Sequence, residues 1–385
     1  MRKIKNFLHL LQAMLANICF GFPSRNLIVI GVTGTDGKTT TVHLINHLLR
    51  KAGFKSELLS SVTTPGLHTT TPSAWFLQKF LRQAVKRQTE YVVLEATSHG
   101  LDQHRLLGIK FKLAVMTNLT HEHLDYHQTL KSYLKAKGKL FEKAELAVLN
   151  RDDESFNYLK GRVPQKTKIL SYALKNEADF TPTTFPFKTS LQGLFNQYNC
   201  LAAAAAVFLL GLPVPQIQQG LASFGGVIGR LEEIKNKHGF RVVVDFAHTP
   251  NGLENVLQTL RKQLAPKARL IVVFGCAGLR DKKKRPLMGA VAARLADLTV
   301  LTAEDPRTED VNQIINQVGA KCLKAVKIPD RRKAIRYAIK NAQKGDLVVI
   351  CGKGHERSMC FGRKEIPWSD QEEARQTLAH FKNDQ

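Results

Sequence analysis

Short runs of apolar residues recur along this chain, and most of them stop at polar residues or glycines. The runs at 27–30, 91–94 and 113–116 predict buried strands. Helical spacing lies between and after them, from about 38 to 52, from about 129 to 144, and in an alanine-rich stretch around 201–209. A second series of the same kind starts near Gly229, with strands predicted at 242–245, 270–274, 298–302 and 347–351. Short buried strands alternating with helices predict an α/β protein with two mostly parallel sheets. The first domain reads as a P-loop domain over 27–226 and the second as a Rossmann-like domain over 227–385, with 1–26 as an N-terminal extension. In parallel sheets, ligands gather at the carboxyl ends of strands. Glu95, Thr117, Asn118, Asp245 and the segments 275–278, 304–307 and 352–356 end such runs, and a site is expected there. The stretch 150–192 is weakly patterned and is expected to be the least regular part of its domain.

The extension has a pattern of its own. Leu8, Leu11, Leu15 and Ile18 recur at helical spacing, which predicts an amphipathic docking helix, with contact to a membrane surface as the lesser alternative. His9, Gln12 and Asn17 interrupt the apolar run and no clean cleavage site follows, unlike a signal peptide. No other stretch is long and apolar enough to cross a bilayer.

Composition changes this picture in two ways. The net charge of +25 favours anionic partners, although a solvated basic surface accounts for it equally well. None of the six cysteines forms a C-x-x-C pair, which argues against a zinc ribbon and for reduced thiols in a cytoplasmic protein.

The strand at 27–30 leads into Gly34-Thr35-Asp36-Gly37-Lys38-Thr39-Thr40 and then a helix. Backbone N–H groups of such a turn at a helix N-terminus cradle phosphate, Lys38 adds charge, and the Thr39 hydroxyl suits Mg²⁺. Val32 stands where the strict motif has its first glycine; Gly31 and Gly34 flank it. In the helix predicted over 129–144, Lys137 falls inside the apolar stripe of Tyr133, Leu134, Leu140 and Phe141. A lone buried ammonium costs several kcal/mol. Lys137 is therefore expected to have a partner, a shifted pKa or a covalent modification, unless it snorkels from the stripe's edge. The polar run 117–127 (TNLTHEHLDYH) follows a strand and suggests Mg²⁺ and phosphate more than zinc, because His121 and His123 are not at the i, i+4 spacing of a helical zinc pair and no thiolate is nearby.

These residues resemble the Mur ligases, and among them the MurE type. GTDGKTTT at 34–41 is similar to the family's GTNGKTT, LEATSHGLDQHR at 94–105 to EVSSHGL-x-QHR, and 117–127 to TNL-x-x-DHLDYH. DFAHTP at 245–250 resembles DYAHTP, GCAGLRDKKKRP at 275–286 resembles GCGG-x-RDKGKRP, and GKGHE at 352–356 is unchanged. Folylpolyglutamate and cyanophycin synthetases share the architecture, and a nucleic-acid-binding P-loop ATPase is the rival from another class.

The resemblance implies an ATP-dependent amide ligase of peptidoglycan synthesis. It would activate the D-Glu carboxylate of a muramoyl-L-Ala-D-Glu precursor as an acyl phosphate and add meso-diaminopimelate or L-lysine. Gly34 to Thr40 with Asn196, Asn199, Arg230 and Asp245 would bind ATP. Thr39, Glu95, His123 and Lys137, the last carrying a CO2-derived carbamate, would hold two Mg²⁺ ions. Lys38, Lys137, His123 and Glu95 would carry the catalysis. Thr70, Thr71, Thr97, Gln103 and Arg105 match positions for the muramoyl-dipeptide; Arg280, Asp305, Arg307, Gly352 and Glu356 match positions for the amino acid. A cytoplasmic monomer with small-molecule substrates and no nucleic-acid partner is expected. The family's uridine-gripping N-terminal domain has no counterpart in these 385 residues, so the carrier end is expected to be held differently. Arg307 keeps the family's arginine, which can fork onto a carboxylate, so diaminopimelate is expected ahead of lysine; the alternative is that Asp305, which replaces the family's asparagine, favours an amine instead.

Overall fold

The computed structural model describes residues 2–64, 70–120, 122 and 124–381. The described chain divides into two compact units, 1–225 and 226–385.

The first unit runs α1 (Arg2–Phe20), β1 (Ile28–Thr33), α2 (Lys38–Lys51), β2 (Ser56–Leu59), α3 (Ala74–Lys86), β3 (Tyr91–Glu95), α4 (Ser98–Asp102), β4 (Phe111–Met116), α5 (Leu124–His127), α6 (Leu130–Gly138), β5 (Leu146–Asn150), α7 (Phe156–Lys160), β6 (Lys168–Tyr172), α8 (Leu194–Leu209) and α9 (Val214–Ala222). Its sheet is parallel, in the order β2-β3-β1-β4-β5-β6. The chain leaves β1 toward one edge and returns on the other side at β4. The loops after β1, β3 and β4 therefore meet at a switch point, where open α/β sheets bind ligands. All five residues of β3 are buried, as a strand covered on both faces requires.

The second unit runs β7 (Glu232–Glu233), β8 (Arg241–Asp245), α10 (Pro250–Arg261), β9 (Leu270–Phe274), α11 (Lys284–Leu295), β10 (Leu298–Leu301), α12 (Val311–Gly319), β11 (Val326–Lys327), α13 (Arg331–Lys340), β12 (Leu347–Cys351), β13 (Ser358–Phe361), β14 (Lys364–Pro367) and α14 (Asp370–Ala379). Its main sheet has the order β11-β10-β9-β12-β8-β7, with β7 antiparallel to β8 and the other pairs parallel. The strands β13 and β14 form a separate antiparallel pair. Two cores flank the main sheet, one on α10, α11 and α12 and one on α13 and α14.

Three departures from the sequence pattern have physical reasons. The helix expected to Ala144 ends at Gly138, and the chain continues in tight turns in which Leu140 and Phe141 donate to Lys137 and Gly138; glycine is a poor helix former and promotes that ending. The stretch after Asn150 contains β6, an edge strand whose mixed exposure hides it from a periodicity argument. The helix α1 forms, but its leucine stripe points outward. Ala13, Ala16 and Asn17 are buried instead, because small residues let α1 approach Ala74 of α3 closely.

Candidate functional site

The loop after β1 is braced from outside. Thr35 and Asp36 donate their backbone N–H groups to the carbonyl and Oδ1 of Asn118, at 2.8 and 2.9 Å. The Thr117 hydroxyl donates to the Asp36 carbonyl at 2.7 Å. Asn118 is in turn fixed through its neighbours: Leu119 N–H donates to Asp153 and Asn150 donates to the Thr117 carbonyl. Gly37 has φ 83° and lies against Asn199, so a Cβ there would collide with the amide. Gly34 is equally confined by Thr117. Asn199 also bonds Asn196 at 3.0 Å, which sets both asparagines of α8 against the loop. The helix α2 starts at Lys38 with no acidic residue in its first turn. The positive end of its dipole therefore favours an anion. Lys38 Nζ reaches back to the Thr35 carbonyl at 2.7 Å.

Lys137 lies beneath this loop and is buried. Its Nζ donates to the Gly34 carbonyl at 2.6 Å and sits 4.3 Å from the centre of the Tyr133 ring. Snorkelling is thereby excluded. Burial, and then the Lys38 charge, hold its pKa well below the ordinary lysine value. Thr35 and Tyr133 share a hydroxyl contact of 3.2 Å, tying α6 to the loop.

Glu95 ends β3 opposite Val32 of β1 and is buried, as is Glu122. Carboxylate and hydroxyl oxygens such as those of Glu95 and Thr39 suit Mg²⁺, which takes few protein ligands and completes its shell with phosphate and water. Among the described residues no group of three or more His, Cys, Asp or Glu is assembled as a metal cage. His123 lies outside the described residues.

A second network adjoins the end of β3. The Thr71 hydroxyl donates to the Glu95 carbonyl at 2.9 Å and accepts from Thr97 N–H and Oγ1. Arg105 donates to the Thr71 carbonyl at 2.7 Å and to Gln103 Oε1 at 2.6 Å. Four of the five residues expected at the dipeptide position are thus mutually bonded; Thr70 is half-buried beside them.

In the second unit, Asp245 accepts from the N–H groups of Leu231 and Ala247, both at 2.7 Å, and the Arg230 guanidinium lies 4.4 Å from the Phe246 ring centre. Gly229 packs against the Gly354–His355 backbone, where a side chain would collide. Lys353 is fully buried, 2.8 Å from Asp305 and 2.5 Å from Glu356. Asp305 also accepts from Cys360 N–H at 2.9 Å. Asp305 and Glu356 thus share the Lys353 ammonium. Asp305 and Arg307 both have positive φ around Pro306, a strained turn that aims Arg307 at the Gly278 carbonyl, 2.6 Å away. Arg280 is exposed on the neighbouring loop. Gly352 lies against Glu304, whose pKa burial raises to about 7 against the pull of Lys284 and Lys353.

Sequence reasoning passed over Tyr133, Asp153, Glu304 and Lys353 as members of these networks. Asp153 had a readable signal: the apolar run 146–149 stops at Asn150-Arg151-Asp152-Asp153, by the same rule that found Glu95.

The Mur ligase middle domain model matches residues 32–207, and the model described as Mur ligase, glutamate ligase domain matches 229–354. A protein of Geobacillus thermodenitrificans named UDP-N-acetylmuramoyl-L-alanyl-D-glutamate--2,6-diaminopimelate ligase is 41% identical over 402 residues, covering 94% of this chain and 81% of its own. A protein of the same name from Synechococcus elongatus is 42% identical, covering 93% and 78%. A solved structure with that title has TM-score 0.62 and 35% identity, covering 92% of this chain and 78% of the other. A folylpolyglutamate synthase from Mycobacterium tuberculosis shares the fold at TM-score 0.72 and 18% identity, covering 89% and 92%.

Proposed function

Since the chain belongs to the Mur ligase family, a family of ATP-dependent acid–amino-acid ligases, we propose that it joins 2,6-diaminopimelate to the D-Glu carboxylate of a muramoyl-L-Ala-D-Glu precursor. The observation that carries this reading is the similarity, across both units, to ligases named for that reaction. ATP phosphorylates the carboxylate to an acyl phosphate; the amine attacks the acyl carbon, and phosphate leaves with the C–O bond as the amide forms. Charge on the phosphoryl oxygens is met by Lys38 and the α2 N-terminus. Mg²⁺, when bound, neutralises further phosphate charge, with Thr39, Glu95 and His123 as its proposed holders.

Lys137 is the proposed site of a carbamate. Burial shifts its amine toward the neutral form, and a neutral amine adds CO2, losing a proton as the N–C bond forms. The product places a carboxylate beside the phosphate loop and removes the cost of an ammonium there.

Asn196, Asn199, Arg230 and Asp245 are assigned to the nucleotide, and Thr70, Thr71, Thr97, Gln103 and Arg105 to the dipeptide. Arg280, Asp305, Arg307, Gly352 and Glu356 are assigned to the amino acid, with Asp305 and Glu356 also holding Lys353 in place. Diaminopimelate is preferred over lysine because a guanidinium set by a rigid turn suits a second carboxylate. ATP and a soluble precursor imply a cytoplasmic enzyme, and the reading takes it as a monomer whose first helix touches a membrane surface.

The test is phosphate release with Mg-ATP, UDP-muramoyl-Ala-Glu and single amino acids. Diaminopimelate is expected to give the largest release, and no release with any diamino acid would sink the reading. Arg307→Ala is expected to raise KM for diaminopimelate about 10- to 100-fold, the equivalent of one charge-assisted hydrogen bond, while changing the response to lysine little.

A further inference from the structure

The outward face of α1 is apolar along its whole length. Phe7, Leu8, Leu11, Met14, Leu15 and Ile18 are between 41% and 65% exposed. At about 100° per residue they fall in one stripe roughly 120° wide. Beside α1, Trp75 of α3 is exposed, as is Phe76, and Trp75 meets Phe20 on the inner face of α1 edge-on at 5.2 Å. A contiguous exposed apolar face of this kind marks an interaction surface.

Its charge selects the partner. Neither α1 nor α3 contains an acidic residue. Lys5 on α1 and Lys79, Arg82 and Lys86 on α3 are exposed, and the sequence adds Arg2 and Lys3 in the first turn of α1. A second copy of the same face would bring these cations together. An anionic bilayer surface meets both demands at once: acyl chains for the stripe and headgroups for the cations, with the tryptophan at the boundary. No described helix is long and apolar enough to cross a membrane, so the contact is in the plane of the surface.

We propose that the outer face of α1, with the exposed Trp75 of α3 beside it, seats this protein on an anionic lipid bilayer, with α1 lying in the interface. The proposal deepens the surface contact named above and gives it a lipid class and a second helix. It also has a bearing on the precursor, because Asn6 of α1 donates to the Asp102 carbonyl at 3.3 Å, beside Gln103 and Arg105. Seating α1 on the bilayer holds that segment close to the lipid surface.

Co-sedimentation with phosphatidylglycerol–phosphatidylcholine vesicles, against phosphatidylcholine alone, tests this. The protein is expected to partition onto the anionic vesicles only. The charge-preserving variant Leu8→Ser/Leu11→Ser/Leu15→Ser is expected to bind at least about tenfold more weakly while keeping its phosphate-release activity in solution. The emission of Trp75 is expected to shift to the blue with anionic vesicles, and Trp75→Phe to remove the shift. Equal binding by the serine variant with no shift means adsorption by charge alone and overturns the proposal. So does absence of binding, or a vesicle-free dimer that the serine variant dissociates. The phosphate-release assay needs no vesicles, so failure of the ligase reading and failure of this one are told apart.

Discussion

Lys137 is the residue at which pattern and chemistry meet. A lysine at the centre of an apolar stripe was legible as an anomaly in the sequence, and its burial under the Gly34 carbonyl gives the anomaly a location. The identity of the modifying group was not legible from pattern, since a neutral amine and a carbamate satisfy the stripe alike. Lys137→Ala is expected to abolish turnover while leaving the chain folded, and short carboxylic acids are expected to restore part of it. Unchanged phosphate release would remove Lys137 from the site. Glu304 gives a second test through pH. Its pKa is raised by burial from 4.5 to about 7, so between those values the folded state binds more protons than the unfolded. Stability from this group is full below about 4.5 and is lost as pH rises through 7, on the order of 3 kcal/mol in all. Thermal unfolding followed across that window is expected to show the decline in the wild type and to lack this component in Glu304→Gln.

At the scale of elements, strand positions were legible wherever both faces are buried, because an unbroken apolar run ending in polar residues leaves little choice. The edge strands β2 and β6 were not, since half of their residues meet solvent and carry mixed polarity. The face of α1 was misjudged for a related reason. Periodicity shows that a helix has two faces; it does not show that Ala13 and Ala16 make the closer packing. The phosphate loop is an element in this sense too, since its shape depends on α8 and β4. Gly37→Ala sets a Cβ in a left-handed conformation, at about 1–2 kcal/mol, and into Asn199. A lowered melting temperature is expected, together with loss of the stabilisation that Mg-ATP gives the wild type in a thermal-shift assay.

For the whole molecule, the two series of strands and helices read from the sequence form two sheets, the first parallel and the second mostly so, as the α/β class requires. The charge of +25 was visible but not its arrangement. Part of it lies on α1, which carries an apolar face, and on α3 beside it, which composition alone cannot reveal. The rival reading, a nucleic-acid-stimulated ATPase, makes a contrary demand on the same charge. Adding single- or double-stranded nucleic acid is expected to leave amino-acid-dependent phosphate release unchanged at moderate salt, and a several-fold stimulation would favour the rival.

The bracing of the phosphate loop by Asn118 has a consequence for the protein before any substrate arrives. Two of the loop's amides, those of Thr35 and Asp36, are already engaged. They should exchange slowly with deuterium in the nucleotide-free protein, whereas the first-turn amides of α2 should become protected when nucleotide is added. The ordering of the loop is then settled during folding, and binding begins from a shape already made.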